Sequence, residues 1–545
     1  MIDRFLAALH TLTFSQAPVE RYLSCLDIWA DLAERKNEGC RDYLRLYEYY
    51  FIVVVEKILC RIQYRFNWEE LADIDRDSVD DDGQTQWDYY LSRCVEVIAR
   101  VGELFPDDTL AQVAEAWSKC AETFLRGNSM LRTSEVSSEE RDLRRDLASL
   151  TLAVGRTASF GALSRPPMAN DHSSKLESRA LELVTKLVTL ASTGVQRNPV
   201  PSADLIEVHA QNLAALQAWC HWMAQRMGPS GELPATELVS RSAECAANAI
   251  LAGAEWSAGR FGVGKAARVP HAAAHLFCTL TAVARLPRLW QNPNVSPLFS
   301  RGRDVLLALP EETGHLVARG LQNALLLGQA GEGSTPEAAW NERETLYASL
   351  LSSLVDQESL DTLGNVPGQC SDFARVSVAV RAWRLIADQL ENGRGMGGRS
   401  KRALHACLVP HLNLALRLLP HLTVHPGMRS SSVVDHNTFA RALARLGEDL
   451  RCHRLCNAIS PGHGIHLSMA FSTNRRLSLS YGGGNQRNTE VKRMPVSSPR
   501  PLSLTFELEG PKSHEGQDSP TRGTTFTDGL ILASSSVFIL FFGGV

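Results

Sequence analysis

The sequence predicts an all-α protein: an α-α superhelix, a solenoid of HEAT- or armadillo-like helical repeats, with a disordered C-terminal tail. Three observations predict it. Apolar residues recur at spacings of three and four, short Pro- and Gly-containing breaks separate the stripes they form, and the chain is too long, at 545 residues, for one compact core. Apolar residues make up 44% of the chain and charged residues 21%, which is enough apolar surface to build a folded array.

The elements justify this in order. Phe51, Val54, Val55, Ile58, Leu59 and Ile62 form one helical stripe, and Leu91, Cys94, Val95, Ile98, Val101 and Phe105 form the next. Leu183, Val184, Leu187 and Val188 make a third. Leu205, His209, Leu213, Leu216, Cys220 and Met223 make a fourth, and Leu404, Cys407, Leu408, His411, Leu412, Ala415 and Leu419 a fifth. Pro410, inside the fifth, is expected to kink its helix or mark a boundary. The breaks LFPDDT around Pro106, RMGPSGELP around Pro229 and GQAGEGSTPE around Pro336 supply turns between paired helices. The sequence shows no fixed internal period, as is common in degenerate repeats of this class.

Two regions depart from the helical pattern. ENGRGMGGRSKR, residues 391–402, is Gly-rich and basic and reads as a mobile loop. After Cys456 the chain turns rich in Ser, Gly, Pro and Arg without sustained periodicity, so the expected division is a solenoid over 1–456 and a disordered tail over 457–545. The tail ends in LILASSSVFILFFGGV, which is too short and too interrupted by serines for a spanning helix of about 20 apolar residues.

Charge and composition exclude several functions. Sixty acidic residues against 56 basic ones leave a formal net charge of -4, with no global attraction to nucleic acid or anionic lipid. The 12 cysteines lie mostly within apolar helical patterns, as small hydrophobes of a reduced intracellular protein. MIDRFLAALHTLTF carries Asp3 and no basic lead, so it does not read as a signal peptide.

Catalytic and metal-binding constellations fail on specific residues. Gly259, Gly264 and Lys265 sit at phosphate-loop spacing, but Ala266 replaces the hydroxyl that holds magnesium, and a helical pattern rather than a buried strand precedes them. His271 and His275, four apart on one helix, lack the glutamate of a hydrolytic zinc site, Ala272 standing in its place. Cys452, His453, Cys456, His463 and His466 cluster loosely, with wide cysteine spacing and no clear ligand set. Asp73, Asp75 and Asp77 alternate like calcium ligands, yet Ser78 occupies the position of the sharp-turn glycine and Gln84 that of the bidentate glutamate. The reading is therefore of a binding protein rather than an enzyme, with no cofactor and no metal. Its candidate contact is the acidic run Asp73, Asp75, Asp77, Asp80, Asp81 and Asp82: either a solvated connector, or a surface for a basic partner.

That run lies within the most specific stretch of the chain, RIQYRFNWEELADIDRDSVDDDGQTQWDYYLSRCVEVIARVGELFP, from Arg61 to Pro106. Its RIQ opening with alternating aromatics, the DDD run, the QT and Trp pair and the helix after them resemble the nuclear export receptors of the importin-β superfamily. YLSCLDIWADL, from Tyr22 to Leu32, and DLIEVHAQNLAALQAWCHWMAQ, from Asp204 to Gln225, agree with it in order. The resemblance spans roughly residues 1 to 450 and thins after about residue 230.

The resemblance implies a superhelix of HEAT repeats that binds Ran in its GTP form together with protein cargo in the nucleus. It further implies passage along nucleoporin Phe-Gly repeats and release after GTP hydrolysis in the cytoplasm, so that the protein shuttles between the two compartments. For the member it most resembles, the implied cargo is actin with profilin; neither nucleic acid nor membrane is an implied partner. The chain is expected to correspond to the central part of such a receptor, lacking repeats at both ends, with a tail whose composition would suit translated non-coding sequence. A non-transport helical-repeat scaffold is the alternative that the same periodicity allows.

Overall fold

In the computed structural model the described residues are 2–15, 18–34, 45–74, 78, 84–128, 137–160, 171–193, 202–227, 234–258, 264–328, 336–354, 373–393, 396 and 398–423. Among them the backbone forms seventeen α-helices and two short 3-10 turns, with no strand. The first nine helices are α1 Ile2–Phe14, α2 Val19–Glu34, α3 Glu48–Arg61, α4 Tyr64–Ala72, α5 Gln86–Leu104, α6 Pro106–Asn128, α7 Ser138–Thr157, α8 Asp171–Ser192 and α9 Ala203–Gln225. They are followed by α10 Pro234–Ala258, α11 Arg268–Val283, α12 Ser296–Ser300, α13 Gly302–Ala308, α14 Glu311–Leu326, α15 Pro336–Leu354, α16 Phe373–Asn392 and α17 Gly398–Thr423.

These helices alternate between two layers. In one, α2, α5, α7, α9, α11, α14 and α16 pack each on the next; in the other, α1, α3, α6, α8, α10, α13, α15 and α17 do the same. Across the layers α1 packs on α2, α3 on α5, α6 on α7, α8 on α9, α10 on α11 and α13 on α14. Stacked helical hairpins of this kind make a helical-repeat solenoid, in which each hairpin buries its apolar faces against its neighbours. Successive hairpins begin at Ile2, Glu48, Pro106, Asp171, Pro234, Ser296 and Pro336, at unequal intervals. The second carries the additional helix α4, and the first helix of the sixth is split into α12 and α13. No constant repeat length exists for sequence self-similarity to reveal.

Local sequence explains the helix starts. Pro106, Pro234 and Pro336, all within the breaks read from the sequence, are the first residues of α6, α10 and α15, where a missing N–H removes no helical hydrogen bond. Helix α5 opens on a capping box: the Thr85 hydroxyl accepts from the Asp88 N–H at 3.1 Å, and the Asp88 carboxylate accepts from the Thr85 N–H at 3.4 Å. Ser137 caps α7 by accepting from the Glu140 N–H at 3.1 Å.

The predicted stripes are the core. Every member of the first three is buried, as are His209, Leu213, Leu216, Cys220 and Met223 of the fourth, whereas Leu205 is half-buried. In the fifth, Leu404 and Leu408 are buried, and Cys407 and His411 half-buried; the side chains of Leu412, Ala415 and Leu419 lie outside those described. Burial, with Arg144 nearby, pushes His209 down to about 4, so it is a neutral core histidine. Fully buried tryptophans join neighbouring helices: the Trp29 indole donates to the Thr13 hydroxyl at 3.0 Å, and the Trp117 indole to the Thr151 hydroxyl at 2.8 Å. Trp219 donates to the Val154 carbonyl at 3.3 Å. Cys25, Cys94, Cys120 and Cys220 are buried free thiols, used as small hydrophobes.

Ion pairs run between successive helices of the first layer. Arg93 meets Asp27, Arg100 meets Glu34 at 2.6 Å, Arg156 meets Glu96 at 2.8 Å, and Arg145 meets Asp204 at 3.4 Å. Arg268 then meets Glu207, and Arg319 meets Asp388. The more exposed of these pairs contribute ~0–1 kcal/mol each, so they add little to the stability of the stack.

Two expectations change in detail. The basic segment 391–402 is not a loop throughout: α17 starts at Gly398, Met396 is buried, and Arg399 pairs with Glu337 at 2.6 Å. Composition alone, which reads as linker, shows neither that cross-helix pair nor the buried methionine. Helix α17 also continues through Pro410, which therefore marks no boundary. The expected tail, 457–545, lies outside the described residues, as does the end of the expected solenoid.

Candidate protein-interaction surface

The acidic run begins where α4 ends. Asp73, exposed, is the C-terminal cap of α4; Asp75, Asp77, Asp80, Asp81 and Asp82 lie outside the described residues. What positions Asp73 is α4 itself, which follows α3 in the chain and packs on α7. Tyr64, Leu71 and the following Ile74 are its buried anchors. The Tyr64 hydroxyl donates to the Leu71 carbonyl at 2.9 Å, which ties the two ends of the helix together. Asn67 donates to the Cys60 carbonyl at 2.8 Å, holding α4 against the end of α3.

A remote carboxylate completes the attachment. Asp146, from α7, is fully buried and accepts from the Tyr64 backbone N–H at the start of α4. Its second oxygen makes no hydrogen bond and faces Arg65 only at 3.6 Å. Burial accordingly raises Asp146 to about 6, despite the Tyr64 N–H and the Arg65 charge, both of which favour the carboxylate. Beneath α4, Tyr64 starts a file of rings through Trp87 at 5.9 Å, Tyr90 at 5.7 Å and Tyr22 at 5.9 Å. Arg61 lies 4.2 Å over the Tyr22 ring and pairs with Glu70 at 2.8 Å.

The outward face of α4 differs from that of an ordinary surface helix. Phe66 is 59% exposed and Trp68 62%, with Glu69 and Asp73 exposed beside them. Residues two apart on a regular helix point to nearly opposite sides, so one of such a pair would be buried. Asn67 breaks the helical backbone between them, with φ -141 and ψ 35, and both rings stay in solvent. Sequence reasoning used these aromatics only as part of a resemblance and assigned them no contact, because aromatics flanking an Asn at a spacing of two do not fit the helical period; that misfit is itself the available signal.

The paired histidines read from the sequence resolve as packing. His271 and His275 are half-buried on α11 with their rings edge-on at 4.8 Å, and His271 Nδ1 lies 3.2 Å from the Thr313 hydroxyl on α14. Burial lowers both, His275 to about 4 with His271 and Arg319 adding to the effect, so both are neutral near pH 7. Among the described residues no three His, Cys, Asp or Glu side chains are placed to hold a metal ion. Gly264 is a turn and Lys265–Ala267 a 3-10 turn leading into α11; Gly259 to Val263 lie outside the described residues. Cys452, His453, Cys456, His463 and His466 also lie outside them. No described helix is long and apolar enough to cross a membrane.

Comparison with known proteins gives a consistent set of relatives. The chain is 31% identical over 456 residues to exportin-6-B of Xenopus laevis, a match covering 77% of this chain and 38% of that protein. It is 30% identical over 476 residues to exportin-6 of Danio rerio, covering 81% of this chain and 40% of the relative. Against exportin-6 of Homo sapiens it is 29% identical over 452 residues, 77% of this chain and 38% of the relative. The chain thus spans about two fifths of the length of the curated relatives it matches. No family model matches it, and no solved structure does. From these relatives and the two-layered helical array together, the chain is a partial exportin-6-like protein.

Proposed function

We propose that the chain is the helical-repeat portion of a nuclear export receptor, which binds Ran in its GTP form together with protein cargo and shuttles between nucleus and cytoplasm. The observation that carries this reading is the breadth of the likeness to exportin-6, which extends over 456 residues and so takes in successive hairpins of the array rather than one motif. The resemblance adds actin with profilin as the cargo and nucleoporin Phe-Gly repeats as the route. The mechanism is linked binding: Ran-GTP and cargo each favour one shared conformation of the stack, so each raises the affinity of the other, and GTP hydrolysis removes one of the two. Catalysis is no part of this scheme, and neither cofactor nor metal is needed.

In the same reading the acidic run, Asp73, Asp75, Asp77, Asp80, Asp81 and Asp82, contacts a basic patch on Ran or cargo. Its contribution would be mainly to association rate and would weaken with salt. The test is a pull-down with GTP-locked Ran, actin–profilin and Phe-Gly repeats, singly and in combination, using this chain and a chain extended to the length of its relatives. Ran-dependent capture of actin–profilin is the expected result. If the extended chain captures none of the three, the protein is a scaffold without a transport role.

A further inference from the structure

Helix α4 is strongly attached and yet presents its two large rings to water. Its inner side is fixed by Tyr64 and Leu71, by the Asp146 carboxylate on the Tyr64 N–H, and by Asn67 on the Cys60 carbonyl. Phe66 and Trp68 are therefore held on a rigid platform, and their exposure is built in by the break at Asn67. A tryptophan presented to solvent on such a backbone gives a partner a large contact area, and this residue type concentrates the binding energy of protein interfaces.

The charge around the rings narrows the partner. Glu69 and Asp73 are exposed, and among the described residues no cation pairs with either, whereas Glu70 is already engaged by Arg61. From Arg65 to Asp82 the sequence carries Glu69, Glu70, Asp73, Asp75, Asp77, Asp80, Asp81 and Asp82 against Arg65 and Arg76. Rings flanked by carboxylates repel anionic lipid and phosphate. They favour a planar cation that stacks on a ring face while its N–H groups reach a carboxylate, and guanidinium does both where ammonium manages only the charge. The molecule already shows the pairing once, with the Arg65 guanidinium 4.7 Å from the centre of the Phe66 ring. We propose that Phe66 and Trp68, with Glu69 and Asp73 beside them, are a docking surface for an arginine-bearing segment of a partner protein. This surface does not depend on the export reading, and its test does not involve Ran or cargo.

The experiment uses the full 545-residue chain and two fluorescent peptides, one of alternating arginine and glycine and one of alternating lysine and glycine, with anisotropy as the readout. The wild type is expected to bind the arginine peptide more tightly than the lysine peptide, with amide-exchange protection appearing over 64–73. Replacing both Phe66→Ala and Trp68→Ala is expected to weaken binding about tenfold or more. Trp68→Leu keeps apolar bulk but not the ring, and is expected to lose most of the preference for arginine over lysine, while Trp68→Phe retains it. Absence of binding by the arginine peptide, protection confined to another part of the chain, or an undiminished arginine preference in Trp68→Leu would each overturn the assignment.

Discussion

The attachment of α4 through Asp146 can be tested by its pH dependence. The perturbation is Asp146→Asn, which keeps an oxygen able to accept from the Tyr64 N–H but removes the titratable charge. Folding raises the Asp146 carboxyl from its ordinary 3.8 to about 6. The native state therefore holds a proton more tightly than the unfolded one, and this group's contribution to stability is greatest at low pH and is lost as pH rises through about 6. At pH 7 both states are ionised and the native carboxylate bears the full cost of burial. At pH 5 the native group is mostly protonated and the unfolded one is not, which recovers about 1.4 kcal/mol, or roughly tenfold in the opening equilibrium. The advantage of Asp146→Asn over the wild type should therefore be about 1.4 kcal/mol larger at pH 7 than at pH 5. Amide exchange over 64–72, corrected for the intrinsic pH dependence of exchange, reports this opening directly. A difference that does not change with pH, or one that shrinks as pH rises, would refute the reasoning: the Tyr64 N–H and Arg65 would then outweigh burial and hold the carboxyl low.

Other parts of the array give predictions of opposite sign. A Cβ at Gly253, on α10, would come within 2.3 Å of the Pro270 ring on α11, and a proline ring cannot rotate away. Gly253→Ala is therefore expected to lower the thermal midpoint, since overpacking of ~1–3 kcal/mol exceeds the ~1 kcal/mol gained in helix propensity, whereas Gly127→Ala, with nothing within 4 Å, should raise it slightly. A stabilised Gly253→Ala would show that α10 and α11 are not packed this closely. His315 lies 3.4 Å from Asp388 and 3.8 Å from Glu311, with Arg319 and Arg384 on the same two acids, and the acids raise its pKa against the opposing effect of burial. This contribution is complete below the ordinary histidine value of 6.5 and is lost as pH rises through the raised one. Melting profiles of the wild type should fall relative to His315→Gln across that range, and parallel profiles would remove His315 from the α14–α16 contact.

What could be read from the sequence follows from the range of the physics involved. The helical stripes were legible because burial of a helix face is periodic along the chain, and Phe51, Val54, Val55 and Ile58 announce α3 without reference to any other helix. The repeat length was not legible, because successive hairpins begin at unequal intervals along the chain. The segment 391–402 misled because glycine content is a local property, whereas the Arg399–Glu337 pair joins residues 62 apart in sequence. The candidate surface was half legible. Its acidic residues form a run that composition displays, but the exposure of Phe66 and Trp68 depends on the Asn67 break and on Asp146, which lies 82 residues beyond the Tyr64 N–H it binds.

The same contrast between local and remote determinants separates the framework from the surface it presents. Along the first layer the charged residues are engaged with one another: Arg100 with Glu34, Arg156 with Glu96, Arg145 with Asp204 and Arg319 with Asp388. Each such pair satisfies its members within the stack and leaves little net field for a partner to sense. On α4 the balance is reversed, for its two rings and the carboxylates of Glu69 and Asp73 face solvent while the polar tethers of the helix are all directed inward. An inserted helix contributes little to the stacking that holds a solenoid together, since its neighbours already pack on one another; α3 and α5 are in contact without it. A helix held this firmly yet not required by the stack is therefore better explained by what it presents than by what it supports.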